Sequence, residues 1–178
     1  MAEVQALGQA TDCDIPGGIL KAYATDKANV TGVTVASGVV TGFTMSGLGL
    51  WSLLYADDQD EVAFLNETGQ EQNNRVRVEA SGLLQFDGLS QTKITAANQA
   101  KACCGVVAVV FYRDGTTRVH GIDVDLSDGW KFAQKFRIVP NVNSGTGAEK
   151  TVLQYNFVGM YDYHAPTTSL DEAAIEAL

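Results

Sequence analysis

The chain has 178 residues, with 12 Lys or Arg against 21 Asp or Glu, a formal net charge of −9; 46% of residues are hydrophobic and 19% charged. That length suits one domain with short tails, the apolar content excludes a disordered chain, and no apolar run reaches the ~18 residues a membrane helix needs. The acidic balance argues against a nucleic-acid binder that works by neutralising phosphates, and Met1-Ala2-Glu3-Val4-Gln5 has neither the basic region nor the apolar segment of a secretion signal.

In chain order, residues 1–18 read as an irregular N-terminal arm ending in Pro16-Gly17-Gly18. Ile19 to Ala24 is a candidate first strand. Val33-Thr34-Val35 and Val39 to Met45 follow, with Ser37-Gly38 as a tight turn between them. Trp51 to Ala56 runs into the acidic Asp57-Asp58-Gln59-Asp60-Glu61. The polar stretch Thr68 to Asn74 reads as the exposed tip of a long hairpin joining Val62-Ala63-Phe64-Leu65 to the next strand. That strand alternates, with Val76, Val78 and Ala80 on one side and Arg75, Arg77 and Glu79 on the other. Its phase breaks at Ser81-Gly82, where a bulge is expected before Leu83 to Phe86.

One internal helix is predicted over about residues 90–104. Ser90 caps it, Ala96, Ala97, Ala100, Cys103 and Cys104 form a narrow apolar stripe, and Gly105 stops it. Val106 to Phe111 is a continuous, β-branched run, the pattern of a central strand covered on both faces. Asp114-Gly115 signals a two-residue hairpin turn, and the return strand, Thr117 to Val124, carries a bulge at Gly121. Lys131 to Val139 alternates through Phe132, Phe136 and Ile138. A glycine-rich loop, Ser144 to Gly147, precedes a long last strand, Thr151 to Tyr163, with Tyr155, Phe157, Tyr161 and Tyr163 on one face. Ser169 and Glu172 are placed as a capping box for a short acidic helix within a tail spanning residues 165–178. The sum is a mainly-β single domain, a β-sandwich or partly closed barrel with one flanking helix and a short C-terminal helix.

Motifs that could carry chemistry fail on spacing. Gly145-Thr146-Gly147-Ala148-Glu149-Lys150-Thr151 lacks the glycine before lysine and is followed by a strand, so no helix N-terminus would face a phosphate. Asp123, Asp125, Ser127 and Asp128 have calcium-like spacing, but Asp128 stands where the sharp turn needs glycine and Gln134 where a bidentate acid is needed. The acids from Asp57 to Glu61 read as a solvated loop. His120 and His164 are far apart and lie in no nucleophile motif; Ser52, Ser81 and Ser90 lack a nucleophile setting. Asn29-Val30-Thr31 and Asn66-Glu67-Thr68 match glycosylation acceptors but lack a secretion signal beside them. Cys13, Cys103 and Cys104 fit free thiols in a reducing compartment. The six tyrosines with Trp51 and Trp130 are either core or interface. No catalytic, cofactor or metal site is expected, and no enzymatic activity.

The order of features resembles the bacteriophage tail tube (major tail) proteins. The resemblance runs from Cys13 to Gly18 into Ile19-Leu20-Lys21-Ala22-Tyr23, and through Val39-Val40-Thr41-Gly42-Phe43 and the long polar hairpin before Arg75-Val76-Arg77-Val78. It continues through the helix, the buried strand, Arg113-Asp114-Gly115-Thr116 and Gly121-Ile122-Asp123. It implies a structural virion protein that self-assembles into rings, commonly of six subunits, stacked into a tube for genome ejection. Strands of neighbouring subunits would join into an inner barrel, and arms and a long loop would link rings. Assembly would take place in the bacterial host cytoplasm, with other tail proteins as partners and DNA passing without specific binding. A capsid decoration, neck or injection-system inner-tube protein, and a β-sandwich binding module, are the alternatives.

Overall fold

The computed structural model describes residues 18–48, 50–56, 63–72, 75–102, 105–144 and 151–178. The arm before Gly18, the acidic run from Asp57, the loop at 145–150 and all three cysteines lie outside these residues. The fold is mainly β. Among the described residues twelve strands run β1 (Ile19–Asp26), β2 (Val30–Ala36), β3 (Val39–Met45), β4 (Ser52–Ala56), β5 (Ala63–Gln72), β6 (Arg75–Asp87), β7 (Val106–Tyr112), β8 (Thr117–His120), β9 (Ile122–Val124), β10 (Trp130–Phe132), β11 (Arg137–Ser144) and β12 (Thr151–Tyr161). The same residues hold two α-helices, α1 (Gln91–Ala102) and α2 (Glu172–Glu176), and a short 3-10 turn at Lys27–Asn29.

Two four-stranded antiparallel sheets carry the body. The first has the order β4-β1-β7-β8 and the second β11-β12-β6-β5; neither closes into a barrel. Between them lies one core, where Ile19, Ala22, Val106, Ala108 and Val110 of the first sheet meet Val78, Leu84, Leu153, Phe157 and Tyr161 of the second. A second core covers the far face of the first sheet: Tyr23, Val107, Val109 and Val119 pack under the hairpins β2–β3 and β9–β10 and under Ile175 of α2. The continuous apolar run of β7 follows from this. Its even and odd residues enter different cores, so neither face tolerates polar side chains.

Several local expectations are met. Ser37 and Gly38 have φ of 53° and 77°, the left-handed pair that a tight hairpin turn requires. The Ser90 hydroxyl accepts from Lys93 N at 3.2 Å at the start of α1. At Gly121, φ is +95° and an added Cβ would stand 2.3 Å from the Val106 carbonyl oxygen, so the chain kinks there. The kink is sharper than a bulge: it ends β8 and hands the chain to β10 as β9.

Others are corrected. No bulge interrupts β6 at Ser81-Gly82, where the register with β5 and β12 is continuous. Gly82 simply takes an inward position, and an added Cβ would lie 2.6 Å from the Phe64 carbonyl oxygen. The polar stretch from Thr68 is not a loop tip through Gln72, because those residues pair in register with Arg75 to Glu79. The Asp114 turn takes three residues, with Tyr112 N donating to Thr116 O at 2.8 Å and Gly115 at φ +83°. Lys131 to Val139 is not one strand: Phe132 packs in the second core and Phe136 in the first, so the chain crosses between layers. The last strand ends at Tyr161, leaving Tyr163 beyond it and 43% exposed. Asp171, not Ser169, caps α2, accepting from Ala174 N at 2.8 Å. Ser169 is already engaged, its N–H donating to Val40 O at 3.1 Å.

Candidate assembly site

The two histidines, 44 residues apart in a chain that gives no hint of their meeting, converge on one carboxylate. Glu67 points inward from β5 beside Leu65, and its side chain is 4% exposed. One oxygen accepts from Ala165 N at 2.9 Å; the other accepts from the Arg118 guanidinium and lies 3.0 Å from His164 Nδ1. His120 Nδ1 is 3.7 Å from Glu67, and its Nε2 is 3.0 Å from the Tyr112 hydroxyl. Phe136 stacks on the imidazole with ring centroids 5.9 Å apart.

Burial alone would raise the Glu67 carboxyl, but the Ala165 N–H and the Arg118 guanidinium outweigh it and hold it below the ordinary carboxylate range. For His120 desolvation wins over the attraction of Glu67 and pushes its pKa down to about 3. The spacing would suit an ion pair, yet the fully buried imidazole is neutral. Burial likewise raises the Tyr112 and Tyr161 hydroxyls. His120 is sealed, whereas His164 on the same carboxylate is largely exposed. The node ties the edge strand β5 of one sheet to β8 of the other and to the C-terminal segment.

The oxygen-rich run after β8 does not converge. Asp125 accepts from Ser127 N and Gly129 N, at 2.8 and 2.9 Å, and thereby builds its own turn. Asp128 accepts from Ser37 N and Gly38 N, at 2.9 and 2.6 Å, clamping the neighbouring hairpin. Asp123 is buried and accepts from Asp162 N and Tyr163 N. Among the described residues no group of three or more His, Cys, Asp or Glu is placed to hold a metal ion. Tyr23, Tyr55, Tyr155 and Tyr161 are core side chains, which settles them as packing.

The sheet edges are treated unequally. The C-terminal segment lies along β8: Val119 N donates to Pro166 O at 2.9 Å and Thr168 N to Thr117 O at 3.0 Å. The same segment reaches β3, with Val40 N donating to Thr167 O at 2.9 Å, and then docks α2 on its own subunit. Ile175 is fully buried there, and the Tyr23 hydroxyl donates to Glu172 and Glu176 at 2.7 and 2.8 Å. Among the described residues the outer edge of β5 has no such cover. Among the described residues no strand pairs with it over Ala63–Gln72, and the strand carries neither lysine nor proline. The outward-facing backbone donors and acceptors of an edge strand, on every second residue, form a template for another strand.

Sequence reasoning missed Glu67 because its partners come from β8 and from beyond β12; a lone glutamate in a polar stretch carries no local signal. Inward alternation with Leu65 was the one clue. Comparison with known protein families, with curated proteins and with solved structures finds no match to this chain.

Proposed function

We propose that this chain is a structural virion protein of the tail tube type, which self-assembles into stacked rings, six subunits to a ring, that conduct the genome. The observation that carries the reading is the β5 edge, which no described strand covers, on a protein that covers β8 with its own C-terminal segment. Pairing β5 of one copy with β11, the opposite end of the same sheet, in the next copy is a heterologous contact and can close a ring. Pairing β5 with β5 would be isologous and stop at a dimer. The net charge of −9 accords with a conduit that does not capture phosphate. Negative-stain electron microscopy of the purified chain tests this. Rings or hollow tubes are expected, and a monomer at every concentration would refute it.

A second reading, a β-sandwich binding module, draws on one observation. An open cavity of about 480 Å3 lies beside β4, floored by Leu153, Tyr155 and Ile138 and rimmed by Lys93 and Asp26. A stable monomer that retains a small ligand or peptide there would favour it.

A further inference from the structure

Leu126, at the tip of the β9–β10 turn, is 99% exposed, the most exposed large apolar side chain among the described residues. The turn that carries it is nonetheless held from both sides. Asp125 N donates to Gly129 O at 2.9 Å, and the Asp125 carboxylate accepts from the Ser127 hydroxyl at 2.7 Å. Asp128, at φ +61°, clamps Ser37 and Gly38. A leucine presented on so ordered a turn loses little freedom when it docks. The cavity of about 480 Å3 beside β4 is its counterpart, an apolar hollow walled by Leu53, Leu54, Phe86 and Ile138.

Strand register places the two at opposite ends of the first sheet. β1 runs from Ile19, opposite Tyr112, to Asp26, opposite Val106. The cavity lies at the Asp26 end, where Ala24, Thr25 and Val106 line it. The turn stands at the other end. Thr168 N donates to Thr117 O and its hydroxyl to Val40 O at 2.8 Å, and Thr117 pairs with Phe111. Val40, and the adjoining Ser37-Gly38 turn that Asp128 clamps, are therefore level with the Tyr112 end. The two features also differ in charge. Residues 125–129 hold Asp125 and Asp128 and no base. The cavity has Lys93 at its rim, and a hollow of about 270 Å3 that begins at the next residues, Lys27 and Gly105, adds Lys27, Lys135 and Arg137. Asp26 is the one acid among the described residues that line either hollow.

We infer that the Leu126 turn of one copy docks in the cavity beside β4 of a second copy, an end-to-end contact separate from the β5 edge. An apolar knob and a complementary hollow on different parts of one chain make a heterologous contact, which adds copies in one direction instead of closing a pair. The leucine leaves water for an apolar floor, and its flanking carboxylates come to rest near the lysines of the rim. One turn in one cavity buries far less than the ~1,200 Å2 of a stable interface, so a single contact is transient. Copies already held together by another surface would gain from repeating it. The inference goes beyond the tube reading and does not need it.

Site-directed crosslinking of the full chain tests the contact. Leu126→Cys protein is mixed with Leu53→Cys or with Thr92→Cys protein, both positions being exposed on the cavity wall, and treated with a short bis-maleimide. Val76→Cys, where Val76 is 71% exposed and outside the cavity, reports random collision. Peptide mass spectrometry separates the new thiols from Cys13, Cys103 and Cys104. Position 126 should link to 53 and to 92 at least tenfold faster than to 76. Lys93→Glu in the cavity-bearing partner, or raised salt, should cut that excess severalfold. The excess should persist when both proteins also carry Thr68→Lys and Gln70→Lys, which oppose pairing at the β5 edge. Equal rates at 53, 92 and 76 would overturn the inference and leave the tube reading standing. An excess that disappears with the β5 lysines would overturn it too, because the contact would then belong to the edge. A wild type that never forms rings, with 126 still linking to the cavity, would refute the tube reading and uphold this contact.

Discussion

The neutral, sealed His120 makes a quantitative prediction about acid. Its pKa is about 3 in the fold against 6.5 for an exposed imidazole. The unfolded chain therefore binds a proton that the folded chain refuses, and stability falls with pH. The sign is that of a depressed folded pKa: the contribution is fully present above 6.5 and is lost progressively as pH drops toward 3. One proton corresponds to ~1.4 kcal/mol per pH unit once the unfolded imidazole is mostly charged. Shifted carboxylates also change at lower pH. Glu67, Asp114, Asp125, Asp162 and Glu172, held below their ordinary range, add losses of the same sign; Asp123, raised by burial, opposes them. The interval from 6.5 down to about 5 therefore isolates the histidine best. Urea unfolding followed by the fluorescence of Trp51 and Trp130, at protein concentrations where no assembly occurs, gives the free energy at each pH. His120→Gln keeps an amide within reach of the Tyr112 hydroxyl but cannot titrate. The wild type should lose stability across this interval and the variant should lose less, their difference approaching one proton. Parallel curves for the two proteins would refute the reasoning, because they would mean that His120 is protonated inside the fold or open to water.

Four further substitutions probe the frame. Glu67→Gln removes the charge that faces Arg118 and His164; since Arg118 is about a quarter exposed and can rehydrate, the loss should be ~2–3 kcal/mol in urea unfolding, below the cost of orphaning a fully buried ion. Gly121→Ala combines a φ of +95° with a Cβ 2.3 Å from the Val106 carbonyl oxygen, so a loss of about 3 kcal/mol or more, or failure to fold, is expected by thermal melting. Gly38→Ala, where φ is +77° but nothing lies within 4 Å, should cost only about 1 kcal/mol in the same measurement. Ile175→Ala empties a fully buried site under α2 and should cost ~2–4 kcal/mol, with hydrogen exchange rising first in residues 165–178.

The strands were legible wherever one physical rule set the residue pattern. β7 declared itself because two cores demand apolar side chains on both faces, and β6 because one core demands alternation. Ser37-Gly38 was legible because few residues adopt paired positive φ. What escaped was set by partners distant in sequence. Gly82 looked like a break in phase, yet it preserves the phase where the Phe64 backbone comes too close for a side chain. Phe132 and Phe136 looked like one face of one strand, although the chain changes layer between them. Ser169 looked like a cap because its spacing to Glu172 is right, but the backbone there is committed to β3, leaving Asp171 to start the helix. The Glu67 node was invisible for the same reason: its ligands come from segments 51 and 97 residues away. The unequal edges are properties of sheet order, which alternation within single strands does not encode.

Sedimentation velocity across a concentration series, run on the wild type and on a Thr68→Lys, Gln70→Lys variant, tests the central claim most directly. Both positions are exposed on β5, and lysines on an edge strand oppose pairing without disturbing the core. The wild type should grow from monomer into rings and longer stacks while the variant, with an unchanged melting profile, stays monomeric. A wild type that remains monomeric throughout, or a variant that assembles equally well, would contradict assembly through the β5 edge.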